Sequence, residues 1–220
     1  MHTFLSALLL TAAVLIGIGP ASAGDEISVA EQRVFLDPHL QNIRAAGTVT
    51  YRFVQKGGDK DSYTDSVTLN VGAGAADKRE LKVDFLSGSR KMALSSIEGG
   101  TGNPVILHFL EHDIRDMHDR LGGQEAYFRK RIRLALANTA TVKPVKLKLN
   151  GKSIDGQEVS ISPYSDDPLK ERLKQFVSKT YVFVLSDAVA GGVYALRTHV
   201  DATAASPPLD TALTIEDSVD

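Results

Sequence analysis

The pattern that most restricts this chain is period-two alternation of apolar and polar residues. Between Thr48 and Val54, the side chains of Val49, Tyr51 and Phe53 alternate with Thr48, Thr50 and Arg52. Successive side chains of a strand point to opposite faces, so such a stretch can bury one face and wet the other. The pattern returns from Tyr63 to Val71 through Val67, Leu69 and Val71, and again at Leu81, Val83 and Phe85. Met92 and Leu94 suggest a short fourth strand. Polar connections such as Gly57-Gly58-Asp59 and Ser87-Gly88 separate these runs, which predicts an antiparallel meander. Later strands are expected at Val145 to Leu149 and Val159 to Ile161, with Asn150-Gly151 and Asp155-Gly156 read as reverse turns. A last hairpin is expected from Tyr181 to Leu185 and Val193 to Val200, around Ala190-Gly191-Gly192.

Helical spacing appears in two places. From Ser28 to Arg44, residues Val29, Arg33, Leu36, Leu40 and Ile43 recur at near-helical intervals, and Pro38 must break the helix because it lacks a donor and clashes with the preceding turn. Asn103-Pro104 has the cap-then-proline form of a helix start, and Ile106, Leu110, Ile114, Met117 and Leu121 then fall on one stripe. After Gly122-Gly123 a second helix is expected over Gln124 to Asn138, with Phe128, Ile132, Ala135 and Leu136 inward. Pro163 to Val177 reads as a loop and short helix, started by Asp166-Asp167 before Pro168. The predicted class is α+β: a curved antiparallel sheet of about eight strands, at its most curved a half-open barrel, with an N-terminal helix and a two-helix hairpin packed on it. One domain is expected over 24–200. Residues 201–220 hold acidic and small residues, Pro207-Pro208 and no basic residue, which predicts a disordered acidic tail.

The first 23 residues have the form of a secretory signal peptide: an apolar run from Phe4 to Ile18, then Gly19-Pro20, then Ala21-Ser22-Ala23. The run is shorter than the roughly 20 residues of a spanning helix. The chain has no cysteine, which excludes a lipid-modified cysteine at the cleavage site, a thiol nucleophile and thiolate ligands. The expectation is an exported periplasmic protein without a lipid anchor. With 25 basic and 27 acidic residues the formal charge is −2, so nothing global points to nucleic acid, which favours a basic surface. Nothing fixes the oligomeric state.

Three groups of residues are candidates for chemistry. His108 and His112 lie four apart, on one face of the first hairpin helix, and could share a divalent metal with His118 or an acidic residue as third ligand. The glutamate that a zincin helix needs directly after the first histidine is replaced by Phe109, and Arg115 beside the pair repels a cation. The plainer reading is a solvated polar face carrying His108, His112, Arg115 and Asp119. The run Arg129, Lys130, Arg131 and Arg133 would take a phosphate, a lipid headgroup or an acidic partner. Against it, Glu111, Asp113, Asp116, Asp119 and Glu125 lie close enough to neutralise it. Gly99-Gly100-Thr101-Gly102 precedes a helix start and is a weaker anion candidate. There is no nucleophile elbow, Walker loop or dinucleotide fingerprint, and Ser95-Ser96 has no activating context. Catalysis is not indicated and no cofactor is implied.

The order of elements resembles the periplasmic lipoprotein-carrier (LolA/LolB-like) type of fold. The likeness rests on an N-terminal helix ending in Leu36-Asp37-Pro38-His39-Leu40, a meander carrying Tyr51-Arg52-Phe53, and helices that interrupt further strands. It implies a concave sheet holding something apolar in the periplasm, and no residue is carried across from that family. On this reading Tyr51, Phe53 and Phe85 line a site for a lipid or acyl chain. The alternatives are a metal-dependent hydrolase using His108 and His112, and an envelope-associated module that docks on a protein or membrane surface through the basic helix.

Overall fold

The computed structural model describes residues 26–57, 62–73, 79–92 and 102–216. The expected signal peptide, Leu94, Ser95-Ser96, Gly58-Asp59 and Gly99 to Thr101 lie outside the described residues.

Eight strands form one antiparallel sheet in the order β3-β2-β1-β8-β7-β6-β5-β4. The strands are β1 Gly47–Gly57, β2 Tyr63–Val71, β3 Leu81–Phe85, β4 Thr141–Leu149, β5 Lys152–Ile161, β6 Thr180–Leu185, β7 Val193–Val200 and β8 Leu209–Ile215. The sheet is open, with β3 and β4 at its edges. The α+β architecture read from the sequence is present. Register follows the alternation: Tyr51 stands opposite Val67 and Phe53 opposite Leu213, so the apolar members of neighbouring strands share one face. Met92 forms a single bridge to Phe85 rather than a described strand.

Three readings of the sequence are corrected. The first concerns the acidic tail, because Leu209–Ile215 is a central strand paired with β1 on one side and β7 on the other. Leu209, Thr211 and Leu213 are buried. Its acidic neighbour Asp210 takes the opposite face, where it meets His199. Gly57, at φ +77°, lies so close to this segment that a β-carbon there would collide with the Pro208 carbonyl. The second concerns Asp155-Gly156, which sits inside β5, with Gly156 opposite Val145. A β-carbon on Gly156 would stand 2.9 Å from the Leu185 carbonyl oxygen, so close packing, not turn geometry, selects glycine here. The third concerns the outer face of the first hairpin helix, on which His108 turns out to be buried, as is Asp113 further along the helix.

The helical layer covers the apolar face. A capping box at Ser28 opens α1 (Val29–Glu31), with the Ser28 hydroxyl accepting from the Glu31 N–H and the Glu31 carboxylate accepting from the Ser28 N–H. The helix widens into a π turn over Gln32–Leu36, stops before Asp37-Pro38 and resumes as a 3-10 turn over His39–Asn42, as the proline requires. Helix α2 (Pro104–Leu121) starts at Asn103, whose side-chain oxygen accepts from Val105 N–H at 2.9 Å. Helix α3 (Glu125–Asn138) returns alongside it, and a short α4 (Lys170–Leu173) precedes β6. Val105, Ile106, Phe109 and Met117 of α2 pack with Tyr51, Phe53, Phe85 and Phe183 of the sheet in a continuous buried core. Among the described residues no helix is long and apolar enough to cross a membrane.

Candidate functional site

Tyr51, Phe53 and Phe85 are completely buried. Phe53 meets Phe85 edge-on at 5.9 Å and stacks on Tyr63 at 5.7 Å. A ligand reaching these rings would first have to lift α2 off the sheet.

The two histidines join the same cluster. The His108 ring stacks on Phe85 at 6.0 Å, and His112 meets Phe53 edge-on at 5.2 Å. His108 Nδ1 lies 2.9 Å from the Pro104 carbonyl oxygen, a contact in which the ring nitrogen is the donor. Burial pushes the His108 pKa below the ordinary histidine value, with the Pro104 bond opposing in part. No group of three potential metal ligands exists among the described residues.

The basic run on α3 divides into two pairs. Arg129 makes a two-pronged contact with Glu111, Nε and Nη2 both at 2.7 Å, and Nη2 also reaches Glu125 at 2.6 Å. These hydrogen bonds, Glu111 foremost, hold its guanidinium still more firmly protonated than usual. Arg131 hydrogen-bonds Asp166 at 2.5 Å and the Pro163 carbonyl at 3.0 Å, and its Nε lies 3.0 Å from Asp167 as an ion pair. Lys130 and Arg133 are exposed and have no ion-pair partner among the described residues. Neutralisation across the hairpin therefore takes Arg129 alone; Arg131 is held instead by the segment before α4, and among the described residues the other two cations stay open.

Those two cations border an apolar groove. The π turn contributes Phe35, α2 contributes Leu107, Leu110 and Ile114, and α3 contributes Ala126 and Ile132, enclosing about 420 Å³. Glu111, Arg129, Lys130 and Arg133 form its rim. The groove exists because α2 directs one apolar stripe at the sheet and a second, through Leu107, Leu110 and Ile114, at its neighbours. The small Ala126 on α3 leaves the space open. Two larger depressions, of about 540 and 580 Å³, mix apolar surface with many polar side chains, Arg33, Asp37 and Asp155 in one and Arg131, Asn138 and Asp166 in the other.

A buried charged cluster was not foreseen from the sequence. Lys179, 1 % exposed, pairs with Asp113 of α2. Tyr181 of β6 donates its hydroxyl to the other Asp113 oxygen at 2.6 Å, and the Tyr164 hydroxyl lies 3.5 Å from that of Tyr181. Burial, followed by the Asp113 charge, raises the Tyr181 pKa well above its ordinary value. The cluster ties the hairpin to the sheet. Its only forewarning in the sequence is that Asp113 precedes Ile114 of the apolar stripe.

No family model matches the chain, and no curated protein does. Among solved structures the chain is similar to the crystal structure of the Mycobacterium tuberculosis lipoprotein LppX, at 10 % identity and a TM-score of 0.31 over 83 % of this chain and 93 % of that one. A likeness that distant does not bear on function.

Proposed function

We propose that this protein is an exported, periplasmic binding protein that holds a single-chain anionic amphiphile, such as a fatty acid, in the groove between the π turn, α2 and α3. The acyl chain lies along Phe35, Leu107, Leu110, Ile114 and Ile132, and the headgroup rests between Lys130 and Arg133. The observation that carries this reading is the junction of an apolar groove with two cations that have no ion-pair partner among the described residues. About 420 Å³ is within the size range of small-molecule sites. An anion paired with Lys130 and Arg133 satisfies charges that the described residues leave open.

Displacement of a fluorescent fatty acid tests the reading. Ala126→Trp puts an indole into the groove from an exposed position, so the fold is retained and binding is lost. Lys130→Glu with Arg133→Glu weakens binding by about tenfold or more, the scale of one to two charge-assisted hydrogen bonds. Undiminished binding by Ala126→Trp would refute the groove. No observation among the described residues favours a metal-dependent hydrolase, since His108 already donates to Pro104 and no third ligand gathers near His112.

A further inference from the structure

Six large apolar side chains are exposed among the described residues: Ile27, Val29, Leu36, Leu107, Leu134 and Leu169. All but Leu169 belong to one layer, the N-terminal segment and the helical hairpin, at exposures of 38–64 %. They are also close together. Ser28, between Ile27 and Val29, bonds the Leu136 carbonyl near the end of α3, and Leu36 follows Phe35, which lines the groove together with Leu107. On α3 the open cation Lys130 lies three residues from the open cation Arg133 and four from Leu134, so both flank it on the exposed side of the helix. Scattered exposed leucines need no explanation, but apolar residues gathered around unpaired cations mark a contact surface.

We infer that this helical face docks on an anionic membrane surface. In the ligand-free protein Lys130 and Arg133 meet lipid phosphates, while Ile27, Val29, Leu36 and Leu134 enter the boundary between headgroups and acyl chains. Charge complementarity selects this partner: the two cations have no counter-ion within the described protein, and an anionic leaflet attracts such residues by about fivefold in partition for each. The inference deepens the amphiphile-binding reading, since the groove would then open toward the bilayer that supplies its ligand.

Flotation of the purified protein with vesicles tests the inference, using phosphatidylcholine alone and phosphatidylcholine mixed with phosphatidylglycerol, with fatty-acid displacement measured in parallel. The expected result is flotation with the mixed vesicles only, reversed by salt. Val29→Ser, Leu36→Ser and Leu134→Ser together should reduce it by about tenfold or more. None of the three lines the groove, so displacement stays unchanged in that variant. Wild-type protein that displaces the fatty acid but ignores mixed vesicles would overturn docking and leave the groove standing. Flotation without fatty-acid binding would support docking and remove the groove. Self-association in light scattering, without flotation, would assign the face to a second copy of the chain and overturn the membrane.

Discussion

Among single residues, the buried polar groups decide most about stability. Lys179 and Asp113 are both withdrawn from water and paired, and removing one partner of such a pair leaves a bare charge in a dry core. Lys179→Met is therefore expected to lose about 3–5 kcal/mol in urea unfolding, whereas Lys179→Met with Asp113→Leu should recover much of that loss. A double variant as unstable as the single one would show that packing rather than charge holds the site. His39 makes a second, pH-dependent case. Its Nδ1 accepts the Asn103 N–H at 3.1 Å, so Nε2 carries the proton and donates to the Arg33 carbonyl at 2.8 Å. Burial, opposed in part by the Arg33 bond and by Asp37, lowers its pKa below 6.5. An unfolded chain takes up a proton near 6.5 that the folded chain refuses, so this contribution is complete above 6.5 and is lost as the pH falls through the depressed folded value. His108 acts with the same sign. His199, raised by Asp210, acts with the opposite sign, but it is exposed and its effect is screened by solvent. Unfolding free energy should accordingly fall on acidification below 6.5, with a shallower slope in His39→Gln, as followed by urea titration at several pH values.

At the level of elements, the sequence revealed what local chemistry alone determines. Strands β1, β2 and β3 alternate without interruption, and α2 begins with an asparagine cap and Pro104, so their places follow from short-range rules. Strand β8 was missed because Leu-Asp-Thr-Ala-Leu-Thr-Ile carries few large apolar residues and follows Pro207-Pro208. What makes it a strand is the pairing offered by β1 and β7, which lie far away in sequence. Asp155-Gly156 misled for a related reason, since the contact that demands glycine comes from Leu147 and Leu185. The groove was illegible because it depends on how far α2 and α3 stand apart, and the open state of Lys130 and Arg133 on which carboxylates Arg129 and Arg131 reach. A truncation after Ser206 separates the two views of the C-terminus. A loose tail would be dispensable, but removing β8 unpairs β1 and β7 in the middle of the sheet, and the shortened chain should be insoluble or unfolded by circular dichroism.

For the whole molecule, one sheet, one helical layer and no disulfide imply a single cooperative unit. Two ways of holding an acyl chain then make opposite demands. A ligand against Tyr51, Phe53 and Phe85 must separate α2 from the sheet and expose core, whereas a ligand in the groove adds contacts to an intact core. Only the second stabilises the protein at no structural cost. A ligand present at a hundred times its dissociation constant contributes about 2.7 kcal/mol to the folded state. For a domain of this size that corresponds to a rise in melting temperature of roughly 5–10 °C. Differential scanning calorimetry with a saturating fatty acid should show this rise in the wild type and none in Ala126→Trp. Binding accompanied by a lower melting temperature, or by a smaller dependence of stability on urea, would mean that the core had opened and that the chain lies under α2 after all.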